Sequence, residues 1–379
     1  LACGTGGGYV IVIPPGIFKF SAKPNIPSGI SVIGYGKWST ILFVPTTLAT
    51  EFLNFNGTGG YPTVLAGVGV LAQTGGAASA TGIKSTKNGL FIRDVWVNGF
   101  QYGMNLGGTD NFVHDFVSEE CTVGVGASEA NINISDGQLY ACGEGLVVAN
   151  NASAEAGRVL VTGLRATQCT VNGFVVSAGK QVTLNGCSAA HINNTKFTGA
   201  GVKIDGSSDV EVNGFVGTIL GTPSTTGVGI LASGSSSNIR ITGGSTKGFL
   251  DGVQMAAVAT GTITGGAHSG NGRRGVYISA GDAICVSGVV ARNNGTVAGT
   301  TDAGIYSDNT SSFALHSITG CICAQDGGGP QDYGIYENLT DNGGSSGFTA
   351  LTGNIAKFNI SGQITTAGLV ANITSTGNV

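Results

Sequence analysis

Short runs in which apolar residues alternate with other residues recur along the chain, and a glycine opens each run. The general form is Gly-apolar-x-apolar, where x is any residue, and looser versions begin at Gly103 and Gly124. Alternation with a period of two predicts short β-strands whose apolar side chains point to one side. The regular runs are Gly145-Leu-Val-Val, Gly173-Phe-Val-Val, Gly201-Val-Lys-Ile, Gly227-Val-Gly-Ile, Gly252-Val-Gln-Met, Gly275-Val-Tyr-Ile, Gly304-Ile-Tyr-Ser and Gly334-Ile-Tyr-Glu.

A second alternating run, apolar-x-apolar-x-Gly, follows the glycine-led run, as in Val159-Leu-Val-Thr-Gly163. The repeat length varies, since Gly103 and Gly124 are 21 residues apart whereas Gly304 and Gly334 are 30 apart. A propeller blade needs about 40 to 45 residues and four strands, and these repeats are shorter. The pattern therefore predicts an all-β, right-handed parallel β-helix, a solenoid of about 10–12 coils in which each coil packs on its neighbours.

The regularity of the repeat divides the chain into four segments. Residues 1–56 form N-terminal opening strands, and residues 57–87 break the period with small and polar residues, which predicts a loop excursion. Residues 88–344 form the regular coils, beginning at Gly89-Leu-Phe-Ile-Arg-Asp-Val-Trp-Val. Residues 345–379 alternate apolar and polar positions with almost no charge, so we expect a C-terminal coil or cap that is also a candidate trimer contact.

Composition agrees with a solenoid and excludes several other classes. The chain has 67 Gly but only 8 Pro, and 10% of its residues are charged while 41% are hydrophobic. Glycine without a three-residue period excludes collagen, and the hydrophobic content excludes intrinsic disorder. The net charge is −4 and the one basic pair is Arg273-Arg274, so we expect no nucleic-acid partner. No apolar run reaches the roughly 18 to 20 residues of a membrane span, so we expect no membrane insertion.

The eight cysteines predict buried thiols rather than a metal site. They contain no C-x-x-C pair, and the four histidines show no ligand spacing, so we expect no metal. The sequence also lacks a phosphate-binding G-x-x-x-x-G-K-[ST] motif, and we predict no cofactor. The glycines that open the Gly-apolar-x-apolar runs are called the landmark glycines. Cys121, Cys142 and Cys169 each stand shortly before one of them. This spacing predicts thiols stacked at one corner of successive coils.

The opening of the chain carries the most specific sequence pattern. It consists of Gly6-Gly-Gly-Tyr-Val-Ile-Val-Ile-Pro-Pro-Gly-Ile-Phe-Lys-Phe, then Ile26-Pro-Ser-Gly-Ile-Ser-Val-Ile-Gly-Tyr-Gly and Ser39-Thr-Ile-Leu. This stretch resembles the start of pectate-lyase-superfamily β-helices, a pattern common in phage tailspikes and in secreted polysaccharide lyases and hydrolases. The resemblance implies a carbohydrate partner such as a bacterial surface glycan, a homotrimer, attachment to a larger virion assembly, and an extracellular or virion location. The pectate lyase and polygalacturonase catalytic motifs are missing as sets.

If the glycine-led strands stack, residues at equal offsets from each glycine become neighbours. Tyr277, Tyr306 and Tyr336 occupy the second position after the glycine on three successive coils, and Gln254 occupies it on the coil before. The pattern predicts that these side chains point outward, about 4.8 Å apart. Phenol rings in such a file would suit substrate binding by stacking on sugar rings. The alternative is an aromatic ladder that only supports the surface.

Carboxylates recur just before the landmark glycines, where Asp251, Asp302 and Asp332 share an edge with Arg274. Glycoside hydrolysis uses two carboxyls, about 5 Å apart for retention and about 6.5–9.5 Å apart for inversion. Adjacent coils would place Asp302 and Asp332 near the first distance. We therefore predict these three aspartates as catalytic candidates and Arg274 as a ligand for an acidic sugar. The alternative is that aspartate is simply a favoured turn residue.

Three functions remain open from the sequence. The first is a phage tailspike or similar virion protein that binds, and in one version depolymerises, a bacterial surface polysaccharide. The second is a structural or receptor-binding fibre without catalysis. The third is a secreted, monomeric polysaccharide lyase or glycoside hydrolase. Two weaker candidate patches are Lys203 with Asp205 and Glu211, and an early coil with His114-Asp115 and Glu119-Glu120.

Overall fold

A computed structural model shows a chain built of short parallel strands, and its described part contains no helix. The structure describes residues 8–26, 29–44, 48, 50–56, 62–72, 80–129, 131–149, 158–191, 198–297, 302–308, 315–326, 331–339, 348–357, 359, 361–368 and 373–376. Nothing helical in this part has the length and apolar character needed to cross a membrane. The chain divides into two compact units: unit 1 is 1–175 with 179–182, and unit 2 is 176–178 with 183–379.

Unit 1 contains three parallel ladders of strands. One ladder runs β5-β7-β9-β11-β14. The other two, β1-β3-β6-β8-β10-β12-β15 and β2-β4-β6-β8-β10-β13-β16, share the long strands β6, β8 and β10. The strands are β1 (Val10–Val12), β2 (Gly16–Lys19), β3 (Ser31–Ile33), β4 (Thr40–Val44), β5 (Glu51–Phe55), β6 (Thr63–Ala72), β7 (Thr81–Ser85), β8 (Leu90–Asn98), β9 (Tyr102–Leu106), β10 (Phe112–Glu119), β11 (Val123–Ala127), β12 (Ile132–Ser135), β13 (Gln138–Tyr140), β14 (Glu144–Ala149), β15 (Val159–Thr162) and β16 (Arg165–Thr167). The division between the units passes through β17 (Asn172–Ser177) and β18 (Lys180–Asn185).

Unit 2 repeats the same three-strand coil. Its ladders are β20-β23-β26-β29-β32-β35-β38, β21-β24-β27-β30-β33-β36-β39 and β19-β22-β25-β28-β31-β34-β37. The strands are β19 (Ser188–His191), β20 (Ala200–Asp205), β21 (Ser208–Asn213), β22 (Val216–Ile219), β23 (Val228–Ser233), β24 (Ser237–Thr242), β25 (Ser245–Lys247), β26 (Asp251–Ala256), β27 (Thr260–Thr264), β28 (Ala267–His268), β29 (Arg274–Ser279), β30 (Ala283–Ser287), β31 (Val290–Arg292), β32 (Ala303–Asp308), β33 (Leu315–Thr319), β34 (Ile322–Ala324), β35 (Tyr333–Leu339), β36 (Phe348–Thr352), β37 (Ile355–Lys357), β38 (Gly362–Gly368) and β39 (Ile373–Thr376). The prediction of an all-β parallel β-helix is confirmed.

The landmark glycines are required because the coils approach closely at these positions. An added Cβ on Gly252 would lie 2.5 Å from the carbonyl oxygen of Gly275 in the next coil. The pairing of Ile230 with Val253 shows that Gly229, not Gly227, is the glycine in register with Gly252. The prediction of Gly227 was wrong because the run contains two glycines that both fit the pattern.

The loop excursion predicted over residues 57–87 is wrong for two stretches, because β6 and β7 are ladder strands there. The small residues that suggested a loop have a packing role. An added Cβ on Gly69 in β6 would lie 2.6 Å from the carbonyl oxygen of Lys37. Among the described residues, the ladder with the landmark glycines comprises five strands within unit 1 and seven strands within unit 2. Strands β36–β39 continue the ladders into the segment predicted as a coil or cap.

A ladder of amide side chains runs through the interior of unit 2. The side-chain amide of Asn271 donates to Asn294 at 3.2 Å, Asn294 donates to Gln331 at 3.3 Å, and Gln331 donates to Asn359 at 2.7 Å. All four side chains are buried. Each side-chain amide hydrogen-bonds to the next, so these buried polar groups are paired. The ladder therefore helps to fix the register of successive coils.

The predicted thiol corner is present in unit 1. The side chains of Cys121, Cys142 and Cys169 are all buried. An added Cβ on each of Gly103, Gly124 and Gly145 would lie within 3.2–3.3 Å of one of these sulfur atoms. Burial raises the pKa of Cys169 to about 12, while the contact between Cys121 and Cys142 raises the pKa of Cys142 and lowers the pKa of Cys121.

These thiols are expected to be inert in the folded protein. Since a reagent must reach the sulfur atom to react with it, we expect iodoacetamide to label the exposed Cys285 and to leave the buried Cys121, Cys142 and Cys169 unlabelled until the chain is unfolded. Peptide mass spectrometry before and after guanidinium treatment measures this. Labelling of Cys142 at the rate of Cys285 in native protein would contradict the buried corner.

Candidate functional site

The predicted file of side chains exists on the outer face of unit 2. The register aligns Gln254 with Tyr277, Tyr277 with Tyr306, and Tyr306 with Tyr336. The ring centroids of Tyr277 and Tyr306 are 5.3 Å apart, and those of Tyr306 and Tyr336 are 5.2 Å apart. The alternation of the glycine-led strands therefore produces the neighbours that the sequence predicted.

The tyrosine rings are more enclosed than predicted. Tyr306 is only 7% exposed, and its ring lies nearly parallel to that of Tyr336, at 11°. The guanidinium of Arg274 lies 4.0 Å from the Tyr277 ring centroid and 4.2 Å from the Tyr306 centroid. Cation–π attraction of this kind fixes the arginine in place. The expectation of an open phenol face is wrong for Tyr306, because neighbouring rings and Arg274 cover its faces.

Asp302 and Asp332 occupy equivalent positions on successive coils. The backbone N–H groups of Asp332 and Tyr333 donate to the carbonyl oxygen of Asp302 at 3.0 and 2.9 Å. Asp302 is 3% exposed, whereas Asp332 is half-buried. Parallel strands lie about 4.8 Å apart, so the two carboxyl groups start from backbones one strand spacing apart. The structure thus brings together the pair that the sequence predicted to be closest.

Burial and charge act together on Asp302. Loss of solvent raises its pKa to about 6, and the negative charge of Asp332 adds to this, while Arg274 and Arg273 act in the opposite direction. Its Oδ1 atom is buried and has no hydrogen-bond partner in the described part of the chain. Asp302 is therefore a carboxyl group that keeps its proton to a higher pH than usual, beside a second carboxyl group. A carboxyl group with a raised pKa beside a second carboxyl group is typical of acid–base sites.

Asp251 lies apart from this pair. The register aligns it with Arg274 and then with Ala303, one position further along the strand than Asp302. Its side chain is 1% exposed, and its Oδ2 accepts a hydrogen bond of 2.8 Å from Arg273. The sequence placed the three aspartates on one edge, but the structure separates them into two adjacent columns. Asp251 is held in an ion pair with Arg273.

Asp308 and Asn338 form part of the same face and were missed from the sequence. The register aligns them, and the amide of Asn338 donates to Asp308 Oδ1 at 3.1 Å. Burial raises the pKa of Asp308, and Arg274 opposes the shift. Tyr333 was also missed, and its ring lies 4.7 Å from that of Tyr336. The signal was available, because Asp308 and Asn338 both stand four residues after a landmark glycine.

The weaker patches have simpler explanations. Lys203 pairs with Asp205 at 3.4 Å, and Arg240 pairs with Glu211 at 2.9 Å, all on partly exposed side chains. Surface ion pairs of this kind contribute roughly 0–1 kcal/mol and need no ligand. The described residues include no group of three or more His, Cys, Asp or Glu side chains arranged to hold a metal ion.

The raised pKa of Asp302 makes the stability of the protein depend on pH. Ionisation of a group with a raised pKa opposes folding, so its contribution is complete below about pH 4 and is lost as pH rises through about 6. We therefore expect Asp302→Asn to gain stability relative to wild type between about pH 4 and about pH 6. Guanidinium unfolding midpoints of both proteins across this range measure the difference. Two parallel curves would contradict the raised pKa.

No protein-family model and no curated protein sequence matches the chain. Solved structures do match. The A-module of a mannuronan C-5 epimerase from Azotobacter vinelandii is 16% identical with a TM-score of 0.53, and the match covers 99% of this chain and 91% of that one. Tailspike protein 2 of an Escherichia coli O157:H7 bacteriophage is 17% identical with a TM-score of 0.55, covering 68% of this chain and 39% of the tailspike.

The catalytic unit of a thermostable GH87 α-1,3-glucanase from Streptomyces thermodiastaticus is 14% identical with a TM-score of 0.53, covering 93% of this chain and 64% of that one. The shared feature is the parallel β-helix. At these identities the likeness shows the fold alone. The resemblance to tailspike-like β-helices seen in the opening sequence is confirmed at that level.

Proposed function

We propose that this chain is a tailspike-like protein that binds a bacterial surface polysaccharide and depolymerises it at Asp302 and Asp332. The observation that carries the proposal is the environment of Asp302, which is buried, has a pKa of about 6, and lies one coil from a second carboxyl group. The neighbours named above support a carbohydrate substrate, since a tailspike, an epimerase and a glucanase share the fold. A purely structural turn would not need a buried carboxyl group one coil away from a second carboxyl group.

The chemistry assigned to the pair is that of a retaining glycoside hydrolase. Asp302, protonated up to a pH of about 6, donates its proton to the glycosidic oxygen as the bond to the leaving sugar breaks. The carboxylate of Asp332 attacks the anomeric carbon to form a glycosyl–enzyme ester, and water activated by Asp302 then hydrolyses that ester and releases the sugar. The spacing of adjacent coils suits the roughly 5 Å separation of a retaining pair.

The surrounding residues receive supporting roles in the same proposal. Asp302 and Asp332 are called the acid pair. The hydroxyl groups of the half-buried Tyr277 and Tyr336, with the amide of Gln254, bind sugar hydroxyls beside it. The buried Tyr306 contributes mainly by holding Arg274. Asp251 holds Arg273 near the pair, and these two arginines offset part of the negative charge of the two carboxylates.

A second candidate is a receptor-binding fibre without catalysis. The observation that favours it is the covered ring of Tyr306, which is the arrangement of a supporting ladder. Both candidates include the homotrimer, the attachment to a virion and the extracellular location that a tailspike implies. A third candidate is a secreted, monomeric lyase or hydrolase.

The test is incubation of the wild-type protein with a panel of purified capsule polysaccharides and lipopolysaccharides. New reducing ends indicate hydrolysis, and ultraviolet absorbance of unsaturated sugars indicates elimination. Binding to a polysaccharide with neither signal would reject catalysis in favour of the fibre. Analytical ultracentrifugation of the same sample separates a trimer from the monomer of the third candidate.

A further inference from the structure

A surface of unit 1 presents aromatic rings on a firmly held loop, far in sequence from the acid pair. The loop 34–39 connects β3 with β4, and it carries Tyr35 and Trp38, which are 64% and 59% exposed. Trp38 packs on Trp96 of β8, with ring centroids 4.5 Å apart at 46°. We call Tyr35, Trp38 and Trp96 the indole patch. We infer that the indole patch is a glycan-binding site that functions independently of the acid pair.

The patch is preorganised. The indole N–H of Trp96 donates to Glu119 Oε2 at 3.0 Å, and Trp96 lies over Gly69, where an added Cβ would be 3.3 Å from the ring. The loop is held by its backbone, since the N–H of Gly36 donates to the carbonyl oxygen of Gly67 at 3.0 Å. The ammonium of Lys37 anchors it to Asp115 at 2.6 Å. The exposed ring of Trp38 therefore loses little freedom when a ligand binds, which favours affinity.

The rim of the patch points to the class of ligand. The side chains of Asp94, Asp115 and Asp136 are 41%, 55% and 61% exposed at the neighbouring corner. Lys37 lies within 4 Å of Asp94 and Asp115, and His114 lies 3.2 Å from Asp136. Three carboxylates with one ammonium group still leave the rim acidic, which opposes nucleic acid and anionic lipid surfaces because both carry negative charge. A two-fold contact centred on this rim would bring the carboxylates of two copies together and remove them from solvent. A largely neutral glycan fits, because its C–H faces stack on indole and its hydroxyl groups donate to carboxylates.

The two tryptophans make the site directly measurable. The sequence contains two tryptophans, Trp38 and Trp96, so intrinsic tryptophan fluorescence reports on this patch and on no residue of the acid pair. The chain carrying Asp302→Asn serves as the background, so that a bound polysaccharide is not cleaved. We expect at least one purified capsule polysaccharide or lipopolysaccharide to shift or quench the emission.

Calorimetric titration with that same polysaccharide then tests Trp38. We expect Trp38→Ala to weaken binding by about tenfold and Trp38→Phe to weaken it less, since an aromatic ring remains. Leu220→Ala is the matched control, because Leu220 is also exposed, at 54%, but lies in unit 2. Because Trp38→Ala also removes the contact with Trp96, thermal unfolding of both Trp38 variants is measured, and Trp38→Phe, which keeps a ring against Trp96, should unfold closer to the wild type.

Three results would overturn the inference. The first is an emission spectrum that no polysaccharide of the panel changes. The second is equal affinity of Trp38→Ala and Leu220→Ala for the bound polysaccharide. The third is a change in sedimentation of Trp38→Ala, which would make the patch a contact between subunits. Because these measurements concern binding, a failure here leaves cleavage by the acid pair unaffected, and a failure of cleavage leaves the patch unaffected.

Discussion

Replacing Asp302 with asparagine is expected to lower the rate of polysaccharide cleavage by about 10³-fold. Asparagine keeps the size of the side chain but has no proton to give to the glycosidic oxygen, and it removes the repulsion between Asp302 and Asp332. Binding of the polysaccharide should be retained, since the tyrosine and arginine contacts remain. The measurement is the initial rate of reducing-end release by each protein, alongside calorimetric affinity for the same polysaccharide.

Asp308→Asn is the matched control for this experiment. Asp308 lies on β32 together with Tyr306, and burial also raises its pKa, but it belongs to a different column from the acid pair. We expect it to retain most of the cleavage rate. In the wild type, cleavage should also decline as pH rises above about 6, because Asp302 loses its proton. If Asp302→Asn and Asp308→Asn lowered the cleavage rate equally, the loss would reflect a general disturbance of this surface rather than the removal of an acid catalyst.

Gly252→Ala is expected to lower the free energy of unfolding by about 2–3 kcal/mol. The added methyl group would lie 2.5 Å from both the carbonyl oxygen of Gly275 and the hydroxyl of Thr246, and 2.8 Å from the amide nitrogen of Asn271. Two of these three atoms are buried in the interior of unit 2 and the third is backbone, so the coil itself must shift. Guanidinium unfolding followed by circular dichroism measures the loss.

Gly243→Asn separates this clash from the general effect of replacing a glycine. Gly243 has φ of 64°, and an added Cβ there would meet no atom within 4 Å. Asparagine tolerates this left-handed conformation better than most residues. We expect a change within about 0.5 kcal/mol. A loss as large as that of Gly252→Ala would show that close approach of the coils is not what selects glycine at the landmark positions.

The sequence predicted the parts of the molecule that follow from periodicity. Equal offsets from the landmark glycines became neighbours in space, so Tyr277, Tyr306 and Tyr336 aligned as expected. The run at Gly227 shows the limit of this reasoning, since a strand with two glycines fits two registers and only the pairing of the neighbouring strands selects one. Periodicity also failed in β6, where small residues reflected a close backbone contact rather than a loop.

The sequence predicted the burial and the contacts of individual side chains less well. Alternation predicted that Tyr306 points outward, but its burial depends on the stacking of Tyr336 and the position of Arg274, which belong to other coils. The burial of Asp302 likewise depends on neighbours that an offset does not specify. The contact of Trp38 with Trp96 was beyond prediction, because the two residues are separated by 58 positions and no repeat relates them.

The amide ladder of unit 2 has a consequence for how such a protein can change. Its rungs are 23, 37 and 28 residues apart in sequence, yet consecutive amides remain in hydrogen-bond contact. Segments of different length between consecutive amides are therefore compatible with the same hydrogen-bonded spacing of the amides. Insertions and deletions between the amides can change the surface around the acid pair while the spacing of the coils stays the same. New binding specificities can therefore arise by exchange of surface loops without a change in the buried ladder.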